Sequence, residues 1–259
     1  MRRRASRGLL SSSADFAELM WPTRCVCCNM PGELLCDACR DSLPWIEQRW
    51  ACPACGAPHG WLTCTGCGAD AVHASVVGGM EASAWECRAV VCALEFVGPA
   101  ALMATTLKDA HELRLASVLA AAMATALDEA SSWPALDGEA RFDRAAVDAI
   151  CFVPATPAAY NRRGFDHMEL VAHALANLLD LPLADVLIRC ASKDQRNLGK
   201  QSRAENLRGT VRVIDDVSDA RLLLVDDVIT TGASVREATR SLLSRGARSA
   251  TACCLARVW

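Results

Sequence analysis

Short apolar runs alternate with amphipathic segments along residues 88–259. The apolar runs predict strands at residues 88–97, 147–153, 183–190, 209–214, 222–225 and 247–256. A helical period of apolar positions predicts helices at residues 99–108, 112–130, 167–179 and 234–244. Segments 131–143 and 154–164 are predicted as loops. Because strands and helices alternate, the pattern predicts a doubly wound α/β domain around a parallel sheet.

The most informative stretch covers residues 221–235. Its apolar run, 222–225, is followed at once by two carboxylates, Asp226 and Asp227. The small residues that come next are Thr230, Thr231, Gly232, Ala233 and Ser234. Backbone N–H groups in such a loop, together with the positive end of the following helix, can bind an anion. Acids beside a phosphate cradle suit a ribose 5-phosphate unit, whereas the alternative is an ordinary strand-to-helix turn with a Thr or Ser cap.

This stretch resembles the phosphoribosyl pyrophosphate (PRPP) motif of type I phosphoribosyltransferases, which joins a hydrophobic strand, an acidic pair and a Thr/Gly-rich loop. The resemblance implies that Asp226 and Asp227 bind the ribose hydroxyls and act in catalysis. It also implies that residues 230–234 hold the 5-phosphate and that Mg²⁺ binds with PRPP. Arg162 and Arg163 are candidates for the pyrophosphate end, because the loop at residues 154–164 is expected at the same edge of the sheet.

Cysteines are concentrated near the amino terminus. Nine of the fifteen lie between Cys25 and Cys67, and eight of these form the Cys-x-x-Cys pairs Cys25/Cys28, Cys36/Cys39, Cys52/Cys55 and Cys64/Cys67. Two such pairs complete a tetrahedral Cys₄ zinc site. We therefore predict a small zinc-binding head at residues 15–70, with one or two structural ions, before a body at residues 71–259. Sequential and interleaved pairing both stay open, as does a ligand role for His59.

Composition and charge narrow the class of protein. A net charge of -3 carries no global signature of nucleic-acid binding. No apolar run reaches the roughly 20 residues that span a bilayer, and no secretory leader is evident, so we expect a cytoplasmic protein without membrane insertion. Segment 189–208 has six basic and two acidic residues and is predicted as a mobile basic loop, which either folds over a polyphosphate or is a solvated surface excursion. Lys108 is either a helix-end lysine or a phosphate contact.

Taken together, head and body resemble the ComF family of competence-associated proteins, in which a zinc head precedes a phosphoribosyltransferase-like body. Three groups of residues carry the resemblance beyond the cysteines: Val153-Pro154 before Arg163-Gly164-Phe165; Gln195, Leu198, Arg203, Asn206 and Gly209 at similar spacing; and residues 225–234. Residues 154–156, the pair Asp166-His167, and Asp109 after Lys108 depart from the family pattern.

The resemblance implies a type I phosphoribosyltransferase-like fold that binds PRPP or a related ribose phosphate. It further implies phosphoribosyl transfer to an unidentified acceptor and a link to DNA uptake, with DNA-uptake proteins as partners. The alternative is a catalytically silent accessory protein that senses nucleotides or binds single-stranded DNA. The three departures lie outside the PRPP motif, so PRPP binding is the firmer expectation and transfer the weaker one.

Overall fold

The computed structural model describes residues 22–61, 64, 67, 85–190 and 209–259. The chain divides into two compact units, residues 1–42 and 43–259. The predicted head boundary near residue 70 falls in a stretch of which only Cys64 and Cys67 are described, so it stays a prediction. Most of the predicted basic loop, residues 191–208, also lies outside the described residues. No helix in the described ranges is long and apolar enough to cross a membrane.

The smaller unit contains one short helix, α1 (Asp37–Asp41), among its described residues. An isolated antiparallel bridge joins Arg24 to Pro31 and brings the Cys25 knuckle into a tight turn. Arg40 on α1 pairs with Glu33 at 3.1 Å and with Asp37 at 2.9 Å. Because both pairs are well exposed, they add little stability, and the cysteines dominate the chemistry of this unit.

The described part of the larger unit is built from six strands and five helices. The strands are β1 (Ala89–Glu95), β2 (Ala149–Phe152), β3 (Leu187–Arg189), β4 (Val211–Val213), β5 (Arg221–Ile229) and β6 (Ser249–Arg257). The helices are α2 (Gly98–Asp109), α3 (Leu115–Ala130), α4 (Pro157–Arg163), α5 (His167–Leu179) and α6 (Ala233–Ser244). A short 3₁₀ helix (Arg144–Ala146) precedes β2.

Four strands form one parallel sheet in the order β1-β6-β5-β2. Leu222 and Leu224 of β5 share an apolar cluster with α6, whereas Leu255 of β6 lies with side chains of α2, α3 and α5. Since successive side chains of a strand point to opposite faces, helices cover both faces of the sheet. The predicted doubly wound α/β architecture is confirmed, and the carboxyl ends of β2 and β5 lie side by side.

Three elements differ from the prediction. Strands β3 and β4 pair antiparallel with each other, from Leu187↔Val213 to Arg189↔Val211, instead of joining the main sheet. Residues 157–163 form helix α4 where a loop was predicted, because Pro157 occupies the first turn and Thr156 caps it by accepting from Ala159 N at 3.2 Å. Strand β5 does not end at the two acids but continues to Ile229, since β6 supplies pairing partners up to Arg257.

Candidate functional site

Strand β5 carries Asp226 and Asp227 at the carboxyl edge of the sheet. Asp226 is only 8% exposed, and its Oδ1 accepts a hydrogen bond from the backbone N–H of Asp227 at 2.9 Å. Burial raises the pKa of Asp226 to about 7, although attraction to Lys108 and Arg189 opposes the rise. An acid with this pKa changes charge near neutral pH, which is common in functional sites.

Asp227 contacts two side chains, Lys108 and His167, and Arg163 lies one contact further away. Lys108, at the end of α2, forms an ion pair with Asp227 Oδ2. His167, the first residue of α5, places its Nε2 2.9 Å from the same oxygen. Arg163, the last residue of α4, reaches the other ring nitrogen of His167, with Nη1 3.4 Å from Nδ1. The carboxylate therefore anchors a chain of contacts that runs from α2 through α5 to α4.

The start of α5 holds this arrangement in place. Asp166 caps the helix, because its carboxylate accepts from Met168 N at 2.9 Å and from Ala155 N at 2.6 Å. His167 is buried, and burial together with the positive charges of Lys108 and Arg163 lowers its pKa to about 3. His167 is therefore neutral at physiological pH.

The loop between β5 and α6 joins two exposed threonines to a tightly turned glycine. Thr230 and Thr231 are exposed, and Gly232 caps α6 with a φ of +75°. An added Cβ at Gly232 would lie 1.8 Å from the ring of Trp85, so glycine is required for both its backbone conformation and its close approach. Arg257 donates to the carbonyl oxygens of Ile229 (3.1 Å) and Thr230 (2.7 Å) and so holds the start of the loop in place.

The predicted site residues are distributed unevenly. Ser234 Oγ accepts from Arg189 Nη2 at 2.8 Å, so a residue of β3 reaches the first turn of α6. The side chain of Arg163 is 12% exposed. That of Arg162 is 68% exposed and lies 4.0 Å from Asp109. These placements leave Arg163 at the site and Arg162 at the surface.

In the sequence, Lys108 has two possible roles, and Asp166 and His167 stand out only as departures from a family pattern. The helix-end position of Lys108 does not distinguish these two roles, because its partner, Asp227, lies far away in the chain. His167 carried one signal: a polar, titratable residue at a helix start that follows a strand of a parallel sheet.

The cysteines form two groups that fit tetrahedral zinc. The first group consists of Cys25, Cys28, Cys36 and Cys39, and the second of Cys52, Cys55, Cys64 and Cys67. Within each group, all sulfur atoms lie within 4.8 Å of one another. The distances between Sγ atoms include 3.5 Å for Cys28–Cys36 and for Cys55–Cys64 and 3.8 Å for Cys52–Cys67. Zn–S bonds of about 2.3 Å at tetrahedral angles imply about 3.8 Å between sulfurs, so both groups fit the metal. The first Cys-x-x-Cys pair therefore groups with the second, and the third with the fourth, which is the sequential pairing.

The second cysteine group is part of the core of the larger unit. Cys52, Cys55 and Cys64 are at most 1% exposed and share an apolar cluster with Val90 of β1. Gly60 permits the turn, because a Cβ there would lie 2.6 Å from Cys52 Cβ. His59 is exposed and is not a member of either group.

Part of this chain matches a known domain family, and most of it is similar in sequence to known proteins. Residues 169–258 match the phosphoribosyl transferase domain family, a range that includes β5, the loop and α6. The DNA utilization protein YhgH of Salmonella typhimurium is 27% identical over 245 residues, which cover 91% of this chain and 97% of that protein. Competence protein F of Haemophilus influenzae is 30% identical over 104 residues, covering 38% of this chain and 45% of that protein.

A solved hypoxanthine-guanine phosphoribosyl transferase of L. donovani shares 15% identity over 55% of this chain and 71% of that chain, with a TM-score of 0.31. A structural likeness this low adds nothing to the assignment. The parallel sheet, the acidic pair before a helix and the family match define a phosphoribosyltransferase-like α/β protein. The relatives, YhgH and competence protein F, support a protein of the ComF family, and the resemblance noted from the sequence is thereby confirmed.

Proposed function

We propose that the protein binds PRPP, or a related ribose phosphate, together with Mg²⁺ at the carboxyl edge of β5. One observation carries the proposal: the acids Asp226 and Asp227 and the glycine-capped start of α6 lie on a single strand–loop–helix segment. A ribose 5-phosphate carries a diol for the acids and a phosphate for the start of the helix. The phosphate would meet backbone N–H groups and the positive end of α6.

Each part of the ligand has a candidate partner. The ribose hydroxyls would donate to Asp226 and Asp227, and the 5-phosphate would lie against residues 230–234. Lys108, which pairs with Asp227, and Arg163, which contacts His167, suit the pyrophosphate group, with exposed Arg162 as a further contact. Mg²⁺, when bound, would neutralise the pyrophosphate oxygens.

The same arrangement suits phosphoribosyl transfer to an acceptor that we do not identify. In that reaction a nucleophile bonds to the anomeric carbon while the bond to the pyrophosphate oxygen breaks, and pyrophosphate leaves with the electron pair. Positive charge develops on the ribose, where the carboxylates of Asp226 and Asp227 would stabilise it. Lys108 and Arg163 would stabilise the leaving group. Positioning and electrostatics then supply most of the rate enhancement.

Calorimetric titration of PRPP with Mg²⁺ into the wild type and into the double variant Asp226→Asn/Asp227→Asn tests binding. At pH 8, where both acids are ionised, we expect the wild type to bind and the double variant to lose at least 100-fold in affinity, since two charged hydrogen-bond acceptors are removed. Exposed Asp128→Asn is the matched control. A wild type that binds no PRPP contradicts the proposal. Exchange of labelled pyrophosphate into PRPP then decides whether the protein also catalyses transfer.

A second candidate function is suggested by the names of the relatives, a DNA utilization protein and a competence protein. In this function the protein serves DNA uptake as an accessory that grips single-stranded DNA or senses nucleotides, with DNA-uptake proteins as partners. Binding of single-stranded oligonucleotides that weakens as salt rises would support it. Absence of any binding at low salt would contradict it.

We further propose that each of the two cysteine groups binds zinc and that the protein is cytoplasmic. None of the fifteen cysteines, all of which lie in the described ranges, forms a disulfide, so the eight sulfurs of the two groups remain available to metal. With four cysteines per group, both sites would be closed, as in structural zinc centres.

A further inference from the structure

His167 lies between an acid and an arginine of the candidate site and contacts both. Its Nε2 is 2.9 Å from Asp227 Oδ2, and its Nδ1 is 3.4 Å from Arg163 Nη1. A neutral imidazole offers one N–H donor and one acceptor nitrogen. Because a carboxylate only accepts and a guanidinium only donates, the tautomer with hydrogen on Nε2 satisfies both partners.

The imidazole has little freedom to leave this position. Its side chain is 9% exposed, and Asp166 caps the helix at the preceding residue. Met168, the next residue, is 1% exposed. Burial keeps the ring neutral, so both hydrogen bonds persist at neutral pH.

A ribose pyrophosphate would need both partners of His167, an acid for its hydroxyls and an arginine for its pyrophosphate. Asp227 Oδ2 accepts from Lys108 as well as from His167, so the carboxylate is held in one orientation. Arg163 Nε is buried and has no hydrogen-bond partner among the described residues. A buried donor without a partner indicates an absent acceptor, and a pyrophosphate oxygen supplies one.

We infer that His167 is a positioning residue, which orients Asp227 toward the ribose hydroxyls and ties Arg163 to the same carboxylate. The inference rests on the proposed PRPP site. His167 itself needs no contact with the ligand, because it acts through the acid on one side and the arginine on the other.

Three substitutions separate this role from simple packing. His167→Gln keeps an N–H donor near the position of Nε2, His167→Asn keeps only the atom that faces Arg163, and His167→Ala keeps neither. His173→Ala, at an exposed position of the same helix, is the matched control. Affinity for PRPP with Mg²⁺ is measured by calorimetry, and the folded state is checked by thermal unfolding.

We expect His167→Ala and His167→Asn to weaken PRPP binding about tenfold, the loss of one hydrogen bond to a charged group, and His167→Gln to stay within about threefold of the wild type. His173→Ala should match the wild type. Nitrogen-15 NMR of the wild type should show hydrogen on Nε2 and none on Nδ1 of His167. The Nε2 signal should move in Asp227→Asn.

The outcomes distinguish the inference from the function on which it rests. A wild type that binds no PRPP ends both. A wild type that binds PRPP, with His167→Ala equal to it, overturns the inference alone. Equal losses in the alanine and glutamine variants assign His167 to packing and overturn the inference as well. Hydrogen on Nδ1 in the NMR spectrum removes its structural basis.

Discussion

The most informative single residue of the site is Asp226, a carboxyl group that the fold buries inside a strand. Its pKa in the folded protein is about 7, whereas an exposed aspartate titrates near 3.9. The folded state therefore holds the proton more tightly between about pH 4 and pH 7. Ionisation of Asp226 lowers the free energy of unfolding as pH rises through this window, and the full loss is present above pH 7.

Asp226→Asn removes this loss and should therefore stabilise the protein. We expect the free energy of unfolding at pH 8 to rise by on the order of 2 kcal/mol, with a smaller gain at pH 5. Urea unfolding at both pH values provides the measurement, and exposed Asp128→Asn should change little at either. A gain that is equal at pH 5 and pH 8 would contradict the raised pKa.

Gly232 is the second residue whose identity the structure explains. Gly232→Ala imposes both a positive φ and a clash with Trp85, so we expect a loss of about 3 kcal/mol or more in stability. Gly138→Ala has a similar φ, +85°, but open space around its Cβ, and should lose only about 1 kcal/mol. Thermal unfolding compares the two. Equal losses would mean that Trp85 moves aside freely.

Among the elements, the strand–loop–helix at residues 221–244 was predictable because all its signals are local. The apolar run, the acids and the small-residue loop follow one another directly in the sequence. Helix α4 was missed because Pro157, a usual loop residue, also begins helices when a cap such as Thr156 precedes it. The antiparallel pairing of β3 with β4 could not be foreseen, since a strand pattern does not name its partner.

The two cysteine groups belong to different units and should respond differently to mutation. Cys55→Ser and Cys28→Ser should each remove one zinc equivalent, as measured by metal analysis. Cys55 is fully buried in the core cluster of the larger unit, so we expect its variant to lower the melting temperature of the main transition by about 10 °C.

Cys28, in contrast, is exposed and lies within the smaller unit. Its variant should leave the main transition within about 2 °C of the wild type. Equal shifts in the two variants would show that the groups do not differ in this way. Retention of both zinc equivalents in either variant would contradict the ligand sets themselves.

In the whole molecule, the sheet assembles a site that no single segment contains. Lys108 and His167 meet at the carboxylate of Asp227, and Arg163 contacts the far side of His167, so α2, α4, α5 and β5 contribute one residue each. The sequence predicted the acids and the loop and placed Arg163 at the same edge from the rule for open parallel sheets. Their basic partners Lys108 and His167 depend on tertiary packing, which local patterns do not encode.

A crystal structure of the protein with PRPP and Mg²⁺ would locate each part of the ligand at once. We expect the 5-phosphate at the backbone N–H groups of residues 230–234 and the ribose hydroxyls within hydrogen-bond distance of Asp226 and Asp227. The pyrophosphate should lie near Lys108 and Arg163. PRPP bound at another edge of the sheet, or an acid pair that the ligand does not touch, would overturn the proposed PRPP site.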